Sequence, residues 1–119
     1  MNQNDPPTEH ILACLSSSPS NAKIVRTAAT MAKAFGGTFT ALYVRTPDSD
    51  QMGKEDCRRL QQHIRMAEQA GADISTIYGD DIPQQIAEFA RISGITRIVL
   101  GQSSAIQKHL FGKPTLTQL

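Results

Sequence analysis

The sequence predicts an α/β domain, an open doubly wound parallel sheet with helices on both faces, and three observations carry that expectation. Short apolar runs alternate along the chain with stretches of helical periodicity. Each of three helical stretches is closed by glycine, at Gly36–Gly37, Gly71 and Gly94. The first strand-like run, HILACLS, is a short apolar run suited to a strand covered on both faces. Such units join by right-handed crossovers, which pack helices on the two faces of one sheet.

The polar, proline-containing stretch MNQNDPPTE (residues 1–9) reads as a flexible leader or linker, and residues 10–119 as the domain. HILACLS is the first strand. Val25, Ala28, Ala29, Ala32 and Phe35 recur at helical spacing within residues 21–35. TFTALYV, rich in β-branched and aromatic residues, is the second strand. After a polar loop, Cys57, Leu60, Ile64 and Ala67 mark the inner face of a second helix. ADISTIYG is the third strand, and DDIPQQIAEFARISG the third helix, with an aspartate cap and Pro83 in its first turn. RIVLG is the fourth strand. The tail KPTLTQL starts like another helix, so four strands in the order 3-2-1-4 are expected, with the last strand missing and the domain truncated at its C-terminal side.

Bulk properties exclude several classes. The 119 residues suit one domain, and 39% hydrophobic with 19% charged residues suits a soluble globular one. A formal charge of +1 gives no basic face for nucleic acid. No apolar run nears the ~20 residues of a membrane span, and no signal peptide is visible, so no membrane contact by this segment and a cytoplasmic location are expected. Cys14 and Cys57 read as buried free thiols of a reducing compartment. Three scattered histidines suggest no metal site. Catalytic residues are not expected either. There is no nucleophile elbow, the Gly112–Lys113 pair lacks a P-loop's first glycine, His63 reads as solvated on the polar side of its helix, and Asp80–Asp81 reads as a cap. A binding module is the reading that remains.

In doubly wound sheets ligands sit beyond the carboxyl ends of the strands, where strand order reverses. With the order 3-2-1-4 that crevice lies between the first and fourth strands. SSSPS (Ser16, Ser17, Ser18, Ser20) borders it on one side. GQSSAIQKHLFGKPT, with Gly101, Ser103, Ser104, Gly112, Lys113 and Thr115, borders it on the other. Small hydroxyl and glycine residues let backbone N–H groups approach phosphate oxygens, and hydroxyls add donors. The competing readings are plain: a serine caps the helix, the glycines punctuate turns, and Lys108 and Lys113 are solvated.

The β-α-β layout and the glycine after the fourth strand resemble the universal stress protein domain, an adenine nucleotide alpha hydrolase-like fold of flavodoxin-like layout. CLSSSPSNAKIVRTAATMAKAFGGTFTALYV is similar to that domain as it occurs in Kdp-type osmosensitive potassium sensor histidine kinases. So are MAEQAGADISTIYGDD, IAEFARISGITRIVLGQS and GKPTL. In members that bind cyclic di-AMP, a Ser-x-Ser pair is followed after twenty residues by Phe-Thr-Ala-x-Tyr. Here Ser16 and Ser18 are followed at that distance by Phe39, Thr40, Ala41, Leu42 and Tyr43. Strand alternation places Phe39, Ala41 and Tyr43 on one face, with Tyr43 or the backbone near Val44 at the pocket and Phe39 equally readable as core.

The resemblance implies a cytoplasmic regulatory domain of a two-component potassium and osmotic-response sensor, non-enzymatic in itself and needing no cofactor. Its ligand would be cyclic di-AMP or ATP. Its partners would be other domains of the parent kinase, a nucleotide second messenger and a second copy of the domain. Two departures weigh against ordinary ATP binding: Leu15–Ser16 stands where ATP-binding members carry aspartate, and Ser104 replaces the second glycine of their Gly-x-x-Gly. The alternatives are a ligand-free interaction scaffold of the same sensor and a stand-alone ATP-binding stress protein. The fixed spacing to FTALY favours Ser16 and Ser18 as ligand donors and leaves Ser20 as the cap.

Overall fold

A computed structural model describes residues 8–101 and 114–119. The elements alternate as the sequence implies: β1 (His10–Cys14), α1 (Asn21–Phe35), β2 (Thr38–Arg45), α2 (Lys54–Gln69), β3 (Asp73–Tyr78), α3 (Ile82–Ile92), β4 (Arg97–Leu100) and β5 (Thr115–Gln118). A single 3-10 turn, Ser49–Gln51, interrupts the loop before α2. The strands form one sheet in the order β3-β2-β1-β4-β5, and every pairing is parallel. The chain therefore winds outward from β1 to β3, returns, and continues on the other side through β4. The reversal lies between β1 and β4, as expected.

β5 corrects the expectation of a missing last strand. Thr115, Leu116 and Thr117 alternate with a period of two, and β-branched threonine favours the pleated sheet. Pairing also relieves β4 of an open edge. Thr115 N–H donates to Thr96 O and Leu119 N–H to Leu100 O, closing the two ends of that ladder. Leu116 packs into the core beneath.

Two apolar layers sandwich the sheet. On one face, Ile24, Val25, Ala28 and Ala32 of α1 and Leu60 and Ala67 of α2 pack on Ile11, Ala13, Phe39, Ala41 and Val99. On the other, Ile86 and Ala90 of α3 pack on Leu12, Leu42, Val44, Ile98 and Leu100. Alternation along β2 thus sends Phe39, Ala41 and Tyr43 to the first layer and Leu42 and Val44 to the second. Cys57 is exposed rather than buried, because the inner face of α2 begins one turn later, at Leu60. No helix among the described residues is long and apolar enough to cross a membrane.

At the amino end of the sheet, backbone packs closely around β1 and the start of β2. Gly36 ends α1 at φ 63°, and Gly37 N–H donates to Ala32 O. Glu9 lies so close to Gly37 that an added Cβ would stand 2.2 Å from its carbonyl oxygen, so only glycine fits there. Thr38 N–H donates to Glu9 O, the Glu9 carboxylate accepts from the Thr96 hydroxyl, and Arg97 lies 4.3 Å over the Phe35 ring. These contacts tie the amino ends of β1, β2 and β4 together, while a separate hollow lined by Gly37, Thr38 and Asp73 lies at the amino ends of β2 and β3.

Candidate functional site

The loop leaving β1 turns its first side chain inward: Leu15 is buried, and its N–H donates to Leu42 O at 2.8 Å. The following serines are held from three sides. Asn21, the first residue of α1 and only 1% exposed, accepts from Ser16 N–H through Oδ1 at 3.1 Å. Its Nδ2 donates to Cys14 O at 2.9 Å, so one amide closes the loop on itself. Within the loop, Ser18 N–H donates to Ser16 Oγ at 3.2 Å, and the Ser18 and Ser20 hydroxyls bond at 2.9 Å. From α2, Arg59 Nη1 donates to Ser17 O at 2.9 Å while pairing with Asp56 at 3.2 Å. His63 Nδ1 lies 2.8 Å from Ser16 O, and since a carbonyl only accepts, Nδ1 carries the hydrogen.

His63 corrects a sequence expectation. It is 4% exposed and sits on the inner face of α2, three residues after Leu60 and four before Ala67. That spacing is the signal that was available, since one helical face carries all three. Ser20 also departs from expectation: it occupies the N-cap position of α1 in a helical conformation and makes no side-chain cap bond. At α3 the expected cap is present, with Asp81 Oδ1 accepting from Gln84 N–H at 3.2 Å.

A cleft of about 670 Å³ opens at the carboxyl ends of β1, β2 and β4. Ser16, Ser17, Ser18, Tyr43, Val44 and Gly101, all expected at the ligand, line it together. Asn21, Thr46, Ser49 and Met52 line it too, and sequence reasoning did not single them out. Thr46 and Ser49 lock one another, Thr46 N–H donating to Ser49 Oγ and the Ser49 hydroxyl to Thr46 O, each at 2.8 Å. The TPDS turn that carries them was their only sequence signal.

The other expected residues lie elsewhere. Phe39 and Ala41 are buried in the α1–α2 layer, and Thr40, on the opposite face of β2, stands five residues short of the strand's end. At about 3.3 Å per residue that is some 16 Å from the strand's end. Thr115 pairs with Arg97 at the amino end of the sheet, away from the cleft. Ser103, Ser104, Gly112 and Lys113 fall outside the described residues.

The lining has a simple chemistry. Among the described residues it carries no Asp or Glu side chain. Hydroxyls and amides gather on the serine side, and Leu42, Val44, Ile82 and Ile86 form an apolar wall across from them. Cys14, at the strand end, is not a nucleophile: burial pushes its thiol up to about 12, and it stays protonated at neutral pH. Among the described residues, a Cβ added at Gly101 would meet Ile24 Cδ1 at 3.5 Å, an ordinary contact. Such a cleft suits a ligand with an apolar ring system at one end and oxygen acceptors at the other.

Comparison with known proteins agrees with this geometry. The model of the universal stress protein family matches residues 7–116. The sensor protein KdpD of Clostridium acetobutylicum is 34% identical over 115 residues, covering 94% of this chain and 13% of that protein. The chain thus spans about an eighth of the length of that relative. A crystal structure of a universal stress protein in complex with cAMP superposes with a TM-score of 0.68 at 15% identity, covering 96% of this chain and 98% of the other. The Archaeoglobus fulgidus universal stress protein in complex with dAMP gives 0.61 at 18% identity, covering 94% and 97%. At those identities the two structures establish the shared fold.

Proposed function

The chain belongs to the universal stress protein family, and from that premise we propose that it is the nucleotide-sensing regulatory domain of a potassium- and osmosensing two-component sensor kinase. Its ligand is cyclic di-AMP, with ATP as the second choice, held in the cleft at the carboxyl ends of β1 and β4. The observation that carries the reading is convergence. Ser16 and Ser18 precede Tyr43 at the spacing of the cyclic di-AMP motif, and all three residues line one cleft that carries no Asp or Glu side chain among the described residues. Adenine fits the apolar wall beside Tyr43 and Val44, and phosphate oxygens accept from the serine hydroxyls and backbone N–H groups.

The domain itself has no catalytic role in this account. Binding biases a kinase–phosphatase balance held in other, cytoplasmic parts of the parent protein, directly or through pairing of two copies. The two stress proteins whose structures hold cAMP and dAMP support an adenine nucleotide in general. The Ser-x-Ser spacing, together with Leu15–Ser16 standing in the region where ATP-binding members carry aspartate, favours the cyclic dinucleotide.

Calorimetric titration of the domain with cyclic di-AMP and with ATP tests the reading. Saturable binding of cyclic di-AMP, tighter than that of ATP, is the expected result. No heat with either nucleotide at sub-millimolar protein would leave the ligand-free scaffold as the function.

A further inference from the structure

We propose that His63 and Arg59 of α2 are positioning residues for the ligand, setting the shape of the serine loop from behind without touching what it binds. The inference rests on the nucleotide-binding reading above. A loop that receives an anion must present N–H and hydroxyl groups and turn its carbonyl oxygens away, since a carbonyl dipole facing a phosphate repels it. In this loop the carbonyls of Cys14, Ser16 and Ser17 are each occupied by a side-chain donor: Asn21 Nδ2 at 2.9 Å, His63 Nδ1 at 2.8 Å and Arg59 Nη1 at 2.9 Å. Two of those donors stand four residues apart on α2, and they reach the loop across 47 and 42 residues of sequence.

Neither α2 side chain lines the cleft. Their effect on binding is therefore indirect, through the loop they hold. Burying an imidazole at 4% exposure costs free energy unless it is hydrogen-bonded. Leucine would satisfy the packing between Leu60 and Ala67, so the bond to Ser16 O is what gives histidine a reason to be there. Serine-rich backbone is costly to order, and a loop that samples other shapes lowers the apparent affinity by the fraction of time it is misshapen. The α2 contacts remove that loss before the ligand arrives.

The test uses His63→Leu and His63→Asn, since the asparagine amide nitrogen falls near the place of Nδ1 and keeps a donor. Calorimetry with cyclic di-AMP and backbone amide exchange of the ligand-free domain are measured on both. His63→Leu is expected to weaken binding about tenfold and to speed exchange of the Ser16 and Ser18 amides about tenfold, with Leu12 and Ala13 in β1 unchanged. His63→Asn is expected to restore both. Equal affinities for the two variants and the wild type, or wild-type exchange in the loop of His63→Leu, would overturn the proposal. If His63→Leu does not fold, Arg59→Met at a part-exposed position carries the same two measurements. Should the wild type bind neither nucleotide, the nucleotide reading falls, and unchanged loop exchange in His63→Leu would overturn the clamp separately.

Discussion

Helix α3 starts on Asp81, whose carboxylate accepts from Gln84 N–H, with Pro83 in the first turn; α1 starts on Ser20, preceded by three more serines, and takes no side-chain cap at all. The two starts look alike in sequence, each a cluster of good capping residues ahead of an amphipathic run. They differ in what the hydroxyls and carboxylates face. At α3 the cap satisfies the helix it begins. At α1 the first turn is closed by the carbonyls of Ser18 and Ser20, and the hydroxyls bond to one another at the rim of the cleft. In a loop fixed by Asn21, Arg59 and His63, the serine hydroxyls thus stand at the cleft rather than on the helix they precede.

Substitutions at the two starts sharpen or break this contrast. Asn21→Ala should have the largest effect, about 2–3 kcal/mol in chemical denaturation, because it strands the part-buried Cys14 carbonyl and Ser16 amide together. The same variant should lose nucleotide binding, since the loop loses its closure. Asp81→Ala should cost about 1 kcal/mol, the ordinary value of an N-cap, and leave the cleft's affinity unchanged. Ser20→Ala should fall within about 0.5 kcal/mol of the wild type, as a surface change away from any cap does. A loss at Ser20 as large as at Asp81 would show that α1 has a working cap after all, and the contrast would dissolve.

The alternation of strands and helices was legible because burial on two faces leaves continuous apolar runs, and glycine marks each helix end. The cleft's position followed from topology alone, and Ser16, Ser18, Tyr43 and Gly101 were placed on its border by sequence. What was not legible depended on contacts far apart in the chain. His63 looks polar by type, yet its spacing to Leu60 and Ala67 puts it inside, while Cys57 looks apolar and lies outside the packed turn of α2. Arg59 gives no local sign that it bonds Ser17. β5 was missed because four residues after a proline are too few for their period to separate strand from helix.

The central claim is that the serine hydroxyls serve a ligand rather than the helix. Calorimetric titration of the double variant Ser16→Ala with Ser18→Ala, beside the wild type, tests it most directly. With one charge-assisted hydrogen bond lost at each position, the account predicts at least a roughly tenfold weaker affinity for cyclic di-AMP while the melting temperature stays near that of the wild type. Unchanged affinity, or a melting temperature that falls as far as that of Asp81→Ala, would contradict it.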